Sequence, residues 1–538
     1  MKAILATLAF GAAFSGCTAA AAKPPTAFVQ CDGYAKPKAG SDDLVKGKAL
    51  TRSWSFSGFS SGFSPGGRQP GAAGVAACRT ALADPLTAEA GWIRRVTLNQ
   101  ALALHHLEAR EPEAALAALD SAVAAAGSNG SDTFYRRSTG VSLDILRAIA
   151  LMRLGRGEEG LAAVRRAAAA RPWSVRVQML ALGMLGIDGG HEAEELALAE
   201  RLRALDPDYA ETIASLYLRS GRHAEAWSLL KKQRETLAPA AAGTAYFRYE
   251  RDLGKGLVAA YAAARAGDSE GSRAVIESLR ADARGAAAQL GKMKLRLAEA
   301  GDPAAVETAV MKPIDRWIPV IESAELLAAG DAAAAQEKLI AVTDWPATPL
   351  LAQLTGDLRA KLPPEARKGM VAIEPAELRA KLDGDRNARL DRLASPELFA
   401  LLPEPEDDDQ LNSFSGQFGL GLKNTGFKDK LLENGATRIE FVGSVSSPLA
   451  VEEMTLLRAA RLALERGRKA FVIEKREDFS RHRQMTMNGV PTGPRTLAGY
   501  MTRFEVRFVD DPSQAGAIDA AAVDAALAPL YARSARKS

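Results

Sequence analysis

The 538-residue chain has few of the residues from which a reaction is usually predicted, with five histidines and three cysteines. No zinc-ligand spacing, serine elbow or pair of catalytic carboxylates stands out in the sequence, and no histidine lies near a cysteine. We therefore expect no cofactor, no metal site and no catalytic residues, and we predict that the chain is not an enzyme.

Charge of one sign is also scarce, because 69 Lys and Arg stand against 65 Asp and Glu, a net charge of +4. The sequence has no long Lys/Arg block of the kind that marks nucleic-acid-binding proteins, so we predict no nucleic-acid partner. The hydrophobic fraction of 47% is ordinary for globular proteins. A chain of this length is expected to form roughly two to four domains.

Long hydrophobic runs are missing too, since the apolar stretch 3–14 is too short to span a bilayer. It follows Met-Lys, as the core of a secretory signal does. The residues that end in Cys17 resemble the lipobox of bacterial lipoproteins, which implies a signal peptide over 1–17, lipidation of Cys17 and anchoring to a membrane. Because Thr18 follows instead of aspartate, the expected location is the periplasmic side of the outer membrane. The alternative is cleavage within Ala19–Ala22, which would leave a soluble periplasmic protein.

If Cys17 carries a lipid, Cys31 and Cys78 remain as an even pair in an oxidising compartment. We predict that these two cysteines form a disulfide. The link would join positions 47 apart and would stabilise the chain by about 4 kcal/mol in the loop-entropy treatment. Two free buried thiols are the alternative. The rest of 18–91 is predicted to be irregular, including the Gly- and Ser-rich stretch Ser53–Gly74, which also carries several aromatic residues.

From residue 92 to 362 the pattern is helical and rich in alanine. The small residues Ala148 and Gly160 would let two helices approach closely, Leu151 and Val164 would fill the seam, and Pro172 would end the second helix. A similar set of offsets occurs earlier, between residues 102 and 122. Short turns that contain glycine recur between later helical stretches, at Gly221, Gly267, Gly301 and Gly330.

These two units resemble the tetratricopeptide repeat, a helix-turn-helix that stacks into a superhelix. The resemblance implies a concave groove that binds protein partners. The groove positions carried over from the family are all apolar in this sequence: Leu104, Leu107, Ile145, Ile149 and Met152. An apolar peptide or a neighbouring segment of the chain would fit such a groove, whereas the alternative is that these residues form the core of the array.

A segment with several prolines and an acidic run, 363–410, is predicted to be a helical spacer and a solvated linker. The domain that follows, 411–512, is predicted to be a small α+β layer, and 513–538 a helix with a tail. Its best-marked element is a helix with Ser447 as N-cap, Pro448 in the first turn and Gly467 after its end. The strand and helix around this cap resemble a small domain of proteobacterial envelope lipoproteins, a family with no assigned activity. The long insert between Arg481 and Gly499 departs from that pattern.

The sequence thus predicts a mostly α protein, with a tetratricopeptide-like helical solenoid followed by a small α+β domain. We expect an exported envelope scaffold that binds protein partners through the repeat groove. The alternative is an envelope enzyme or small-ligand-binding protein with its site between the solenoid and the C-terminal domain. A third possibility is a structural lipoprotein that links the membrane to the cell wall. Convergent polar side chains with shifted pKa values in the interdomain groove would favour the enzyme or ligand-binding protein.

Overall fold

The architecture is taken from a computed structural model of the chain. It describes residues 25–37, 67–188, 190–236, 245–292, 303–340, 348–367, 384, 386–406, 411–417, 425–487 and 490–532. The signal peptide, Cys17, the stretch 53–66, the turn at Gly301 and the end of the acidic run lie outside these residues. Within them, no helix is both long enough and apolar enough to cross a membrane.

The first two thirds of the chain form an array of helices that pack in consecutive pairs. The early helices are α1 Ala27–Asp32, α2 Gly71–Ala83, α3 Pro85–Glu89, α4 Trp92–Glu108, α5 Pro112–Ala126, α6 Thr133–Arg137, α7 Thr139–Arg153 and α8 Gly157–Ala170. The later ones are α9 Val175–Asp188, α10 Glu192–Leu205, α11 Ala210–Arg219, α12 His223–Thr236, α13 Ala245–Arg265, α14 Ser269–Lys292, α15 Pro303–Ala328 and α16 Ala332–Ile340. Each pair also contacts the next, as a solenoid requires.

The turns inside these pairs explain why each helix reverses direction. Gly267 follows α13 with φ +81°, and the next amide, that of Asp268, donates to the carbonyl of Ala263 at 2.9 Å. This bond closes the last turn of a helix after a left-handed residue, which glycine adopts without steric cost. The amide of Asp331 donates in the same way to Leu326 after Gly330.

The close helix approach predicted around Gly160 is present in the α7–α8 pair. A Cβ at Gly160 would lie 3.0 Å from the Met152 side chain and 3.1 Å from the Ala148 carbonyl oxygen. Leu151 and Val164 are buried at this seam. The helix α8 ends at Ala170, shortly before the proline that was expected to stop it.

After α16 the chain turns back across its own array. The helix α17, Pro349–Lys361, contacts α11, α15 and α16. Its Leu350 carbonyl accepts a hydrogen bond from the Tyr261 hydroxyl at 3.4 Å, and its Asp357 pairs with Arg265 at 2.5 Å. The helix α17 therefore packs across several of the later helices of the array.

A second returning segment covers the first repeats. It contains the helical residues 386–393, here α18, and the helix α19, Pro396–Leu401. Its apolar side chains are buried in the common core: Leu390, Ala394, Leu398, Phe399 and Leu402. Residues 386–401 are largely helical, in keeping with the predicted helical spacer, but 386–406 is not a solvated linker, because it buries apolar side chains in the common core.

The C-terminal part is an antiparallel sheet with two helices. Its elements are β1 Gly426–Leu431, β2 Thr437–Gly443, α20 Pro448–Glu465, β3 Ala470–Met487, β4 Val490–Val509, β5 Ala517–Asp519 and α21 Ala520–Tyr531. The strand order is β1-β2-β4-β3-β5. Since β5 pairs with β3 and α21 packs on α20, the domain continues past the predicted boundary at residue 512. The predicted fold class, a mostly helical solenoid followed by a small α+β domain, is confirmed.

The capped helix α20 begins as predicted, with the Ser447 hydroxyl accepting from the amide of Ala450 at 3.1 Å. The burial of α20 extends over more than one face of the helix. Thirteen of its residues are buried, and they include Glu452, Glu453 and Thr455 as well as the face toward the sheet. The reason is that the solenoid packs on the side of α20 that the sheet leaves uncovered.

Candidate functional site: a charged cleft between the solenoid and the sheet

The predicted groove residues are not available to a partner. Leu104, Leu107, Ile145, Ile149 and Met152 are each at most 1% exposed. The three on α7 follow Ser142 at helical spacing, and the Ser142 hydroxyl donates to the Pro403 carbonyl at 2.9 Å. At the other end of α7, Arg153 donates to Asp391 at 2.9 Å.

The returning segment 386–406 therefore runs antiparallel to α7, with Pro403 near the start of the helix and Asp391 near its end. The same segment also contacts α4. The ring of its Phe399 lies under the guanidinium of Arg68, which precedes α2, at 4.8 Å from the ring centre. The prediction that these five residues form a partner-binding groove is wrong, because they are buried in the core of the chain.

The two cysteines are placed together at the N-terminal end of the array. The sulfur atoms of Cys31 and Cys78 lie at bonding distance, 2.04 Å, and tie α1 to α2. Next to them the buried Asp32 accepts from Arg94 at 2.5 Å, and His105 donates from Nε2 to the Cys31 carbonyl at 2.8 Å. The described parts of 18–91 are thus largely helical, which corrects the prediction of an irregular segment. The helix α2 is stabilised here because it packs against α4 and is linked to α1 by the disulfide.

Two adjacent glutamates on α20 connect the sheet domain to the solenoid. The first, Glu453, accepts hydrogen bonds from Arg137 at 2.8 and 2.9 Å, from Arg171 at 3.1 Å and from the Tyr531 hydroxyl at 2.5 Å. Arg171 in turn donates to Glu406 of the returning segment at 3.0 Å. The side chains of Glu453 and Arg171 are both 0% exposed. This buried ionic network joins α6, α8, the returning segment, α20 and α21.

Burial acts to raise the pKa of Glu453, but Arg171 and Arg137 outweigh it and lower the pKa to about 2. The same burial, together with the negative charge of Glu453, raises the pKa of Tyr531 well above its usual range. Glu453 is therefore ionised and Tyr531 is neutral under physiological conditions. A permanently charged, fully enclosed carboxylate suits a structural joint and not a proton-transfer site.

The second glutamate, Glu452, lines an open cleft between α20, the sheet and the solenoid. The first turn of α9, the first half of α20 and the neighbouring parts of β3 and β4 line this cleft, whose cavity volume is about 50 Å³. Its charged lining consists of Arg176, Glu452, Arg476 and Asp478. The cleft thus has one wall from the solenoid and a floor from the sheet domain.

The charged groups in the cleft hold one another in place. Arg476 donates from Nη1 to Glu452 at 2.9 Å and from Nε to Asp478 at 2.7 Å. Glu452 also accepts from the amide of Val175, the first residue of α9, at 2.8 Å. Asp478 also accepts from the Thr502 hydroxyl at 2.6 Å. Each carboxylate therefore has two donors, and Glu452 neutralises the N-terminus of a helix in the other domain.

The pKa values of Glu452 and Arg476 are both raised, which favours the neutral form of the carboxyl group and the charged form of the guanidinium group. Burial raises the pKa of Glu452, and Arg476 only partly offsets it. Burial acts to lower the pKa of Arg476, but Asp478 and Glu452 outweigh it and raise that pKa. In the segment that contacts β3, burial raises the pKa of Asp206 and brings the pKa of Tyr209 to about 12. Convergent polar side chains with shifted pKa values between the solenoid and the C-terminal domain were the feature expected to favour an envelope enzyme or a small-ligand-binding protein.

Sequence reasoning missed the residues of this cleft and of the ionic network. Arg137, Arg171 and Arg476 carry no local pattern that marks them as buried. One signal was present, because Glu452 and Glu453 interrupt the apolar residues in the first half of α20.

Within the described residues, no group of three or more histidine, cysteine, aspartate or glutamate side chains is arranged to hold a metal ion. Comparison of the chain with protein-family models, with curated proteins and with solved structures found no match.

Proposed function

We propose that this chain is an exported envelope protein that binds a segment of a protein partner in the cleft between α9 and the sheet, without catalysing a reaction. The observation that carries the proposal is the cleft itself, which has walls from both domains and a floor of mutually paired charges. A tetratricopeptide-like origin of the solenoid is part of the proposal. The buried face of the repeats then serves to hold the chain's own returning segments and to set the position of the cleft.

The paired charges support binding over catalysis. A general acid or base needs a position from which it can reach a substrate proton, whereas Glu452 and Asp478 already accept hydrogen bonds from Arg476 and from a second donor each. The rings of Phe479 and Tyr500 also line the cleft, and Phe479 is 37% exposed. Aromatic rings beside fixed polar groups are typical of sites that hold a peptide segment.

The location is proposed from the sequence features of the amino terminus, with Cys17 as the lipidated residue and the outer membrane as the destination. The disulfide between Cys31 and Cys78 supports an oxidising compartment, because such bonds persist mainly in exported proteins. Mass spectrometry of the amino-terminal peptide from membranes tests this part separately. An unmodified peptide that begins after Cys17 would contradict it.

Site-specific photo-crosslinking tests the binding role. A photoreactive amino acid placed at Phe479 or at Tyr500 in cells should form a discrete adduct with one protein, whose attached peptide mass spectrometry identifies. The matched control is Val123 on α5, which is 52% exposed and is not part of the cleft. No adduct at either cleft position, or the same adduct at Val123, would contradict the proposal.

A second candidate function is favoured by one observation, the raised pKa of Glu452 in a cleft that is open to solvent. A carboxyl group in this state is typical of enzyme and small-ligand sites. Titration of the purified chain with free amino acids and dipeptides, followed by its thermal unfolding midpoint, distinguishes the two functions. A saturable rise of the midpoint that Glu452→Gln abolishes, together with no protein adduct in cells, would favour the small-ligand site.

A further inference from the structure

A cluster of three polar side chains fastens the returning helix α17 to the solenoid. Arg265, the last residue of α13, donates from Nη2 to the Asp357 carboxylate on α17 at 2.5 Å. The same guanidinium donates to Nε2 of His223, the first residue of α12, from Nη2 at 2.9 Å and from Nε at 3.2 Å. We call these three residues the α17 latch. It joins three helices that are far apart in sequence.

The other contacts of α17 are mainly apolar. Leu351, Leu354 and Leu358 are each at most 1% exposed, and their spacing places them on one stripe of the helix. The side-chain amide of Gln353 donates to the Arg219 carbonyl of α11 at 3.2 Å. If α17 left the solenoid, this leucine stripe and the solenoid surface under it would both be exposed to solvent.

The latch requires a neutral His223 ring. Its Nε2 accepts from two N–H groups of Arg265, so this nitrogen carries no proton and the ring proton lies on Nδ1. That Nδ1 is buried and has no hydrogen-bond partner among the residues that the structure describes. A second proton would have to enter at Nε2, where it would break both bonds and face the guanidinium N–H groups.

The electrostatic surroundings also oppose a charged ring. Burial and the positive charge of Arg265 lower the pKa of His223 to about 4, and Asp357 and Glu225 only partly offset them. Arg265 belongs to α13, Asp357 to α17 and Glu225 to α12 itself. The docked helix α17 therefore goes together with an uncharged histidine.

Other ionisable groups on the neighbouring elements have partners of their own. Arg222, in the turn before α12, pairs with Glu225 at 3.0 Å, and Arg219 at the end of α11 pairs with Glu195. On α13, burial raises the pKa of Tyr261 to about 12, so its hydroxyl stays neutral and donates to the carbonyl of the α17 residue Leu350. Of the side chains around the latch, the histidine is the type that ordinarily changes its charge between pH 5 and 8.

We propose that the α17 latch is a pH switch that releases α17 from the solenoid in acid. A solvated histidine takes up a proton below its ordinary pKa of 6.5, whereas the docked ring stays neutral down to about pH 4. The docked state therefore binds fewer protons in this interval, so docking is unaffected above pH 6.5 and weakens as the pH falls from 6.5 toward 4. The opening equilibrium constant of α17 rises about seventyfold between pH 7.5 and pH 4.5. This device goes beyond the proposed cleft function and does not depend on it.

Amide hydrogen exchange of the full chain, followed by mass spectrometry at pH 7.5 and pH 4.5, tests the proposal. After division by the intrinsic exchange rate at each pH, it measures the opening equilibrium of each helix separately. We expect the opening constant of α17 to rise about seventyfold in acid, while those of α7 and α8 change little. The variant His223→Gln keeps an oxygen that can accept from Arg265 but cannot take up a proton, so its α17 should show no such rise.

The matched control is His191→Gln, a histidine before α10 that lies 3.9 Å from Glu158 and outside the latch. This control should keep the full rise. Exchange of the ring C2 proton in the parent chain reports the ionisation of His223 without any substitution, and its midpoint should lie near pH 4. An equal α17 opening constant at both pH values overturns the proposal. So does an equal rise in His223→Gln, a rise that His191→Gln removes, or a His223 midpoint at the ordinary value.

Discussion

The substitution Glu453→Gln should destabilise the docking of the sheet domain on the solenoid more than any exposed charge change. It keeps the size of the side chain but removes the charge that Arg137 and Arg171 share. Arg171 is 0% exposed. In the variant its guanidinium would keep Glu406 as its charged partner, at 3.0 Å. Removing one partner from a buried ion pair costs about 3–5 kcal/mol, because the remaining charge stays desolvated.

The pH dependence gives an independent measure of the same contact. Glu453 has a pKa of about 2 in the folded chain against an ordinary value of 4.5, so the folded state binds fewer protons than the unfolded state in that interval. Its ionisation therefore stabilises the fold by about 3 kcal/mol above pH 4.5, and this stabilisation is lost as the pH falls toward 2. The Glu453→Gln chain lacks this contribution at every pH.

Urea unfolding followed by circular dichroism, measured at pH 7 and at pH 3, checks both statements. We expect a large loss in the unfolding midpoint of Glu453→Gln at pH 7 and a smaller difference from the parent chain at pH 3. Glu159→Gln is the control, since Glu159 pairs with Arg156 on the exposed surface of α8 and should leave the midpoint unchanged. A Glu453→Gln midpoint equal to that of the parent at pH 7 would refute the reasoning.

Three further predictions follow from the packing. Replacing both Cys31 and Cys78 with serine should lower stability by about 2–4 kcal/mol and expose residues 25–37 to protease, and an unchanged cleavage pattern would argue against the link. Leu104→Glu should unfold the first repeats as judged by circular dichroism, because a charge would be buried without a partner; a fully folded variant would restore the groove to consideration. Gly499→Ala should lower the thermal midpoint strongly because its Cβ would meet the Gly443 carbonyl, and a midpoint equal to that of the parent would show that β4 can shift there.

Local signals predicted much of the architecture. Helical periodicity and small residues such as Gly160 indicated paired helices, and the capping residues around Pro448 indicated where α20 begins. These features depend on residues within a few positions of one another, so they can be recognised along the chain. The pairing of Cys31 with Cys78 was predicted by counting cysteines, because only two remained once Cys17 was assigned to lipidation.

The sequence alone therefore determined the paired helices around Gly160, the start of α20 and the fold class of this protein. Only the tertiary structure decided which surfaces are free. The segment 386–406 returns to cover α7 and joins residues more than 230 positions apart, such as Arg153 and Asp391. Glu453 likewise meets Arg171 across 282 positions. Contacts of this kind bring together side chains that share no local pattern, and they turned the predicted groove into core and placed the cleft between the two domains.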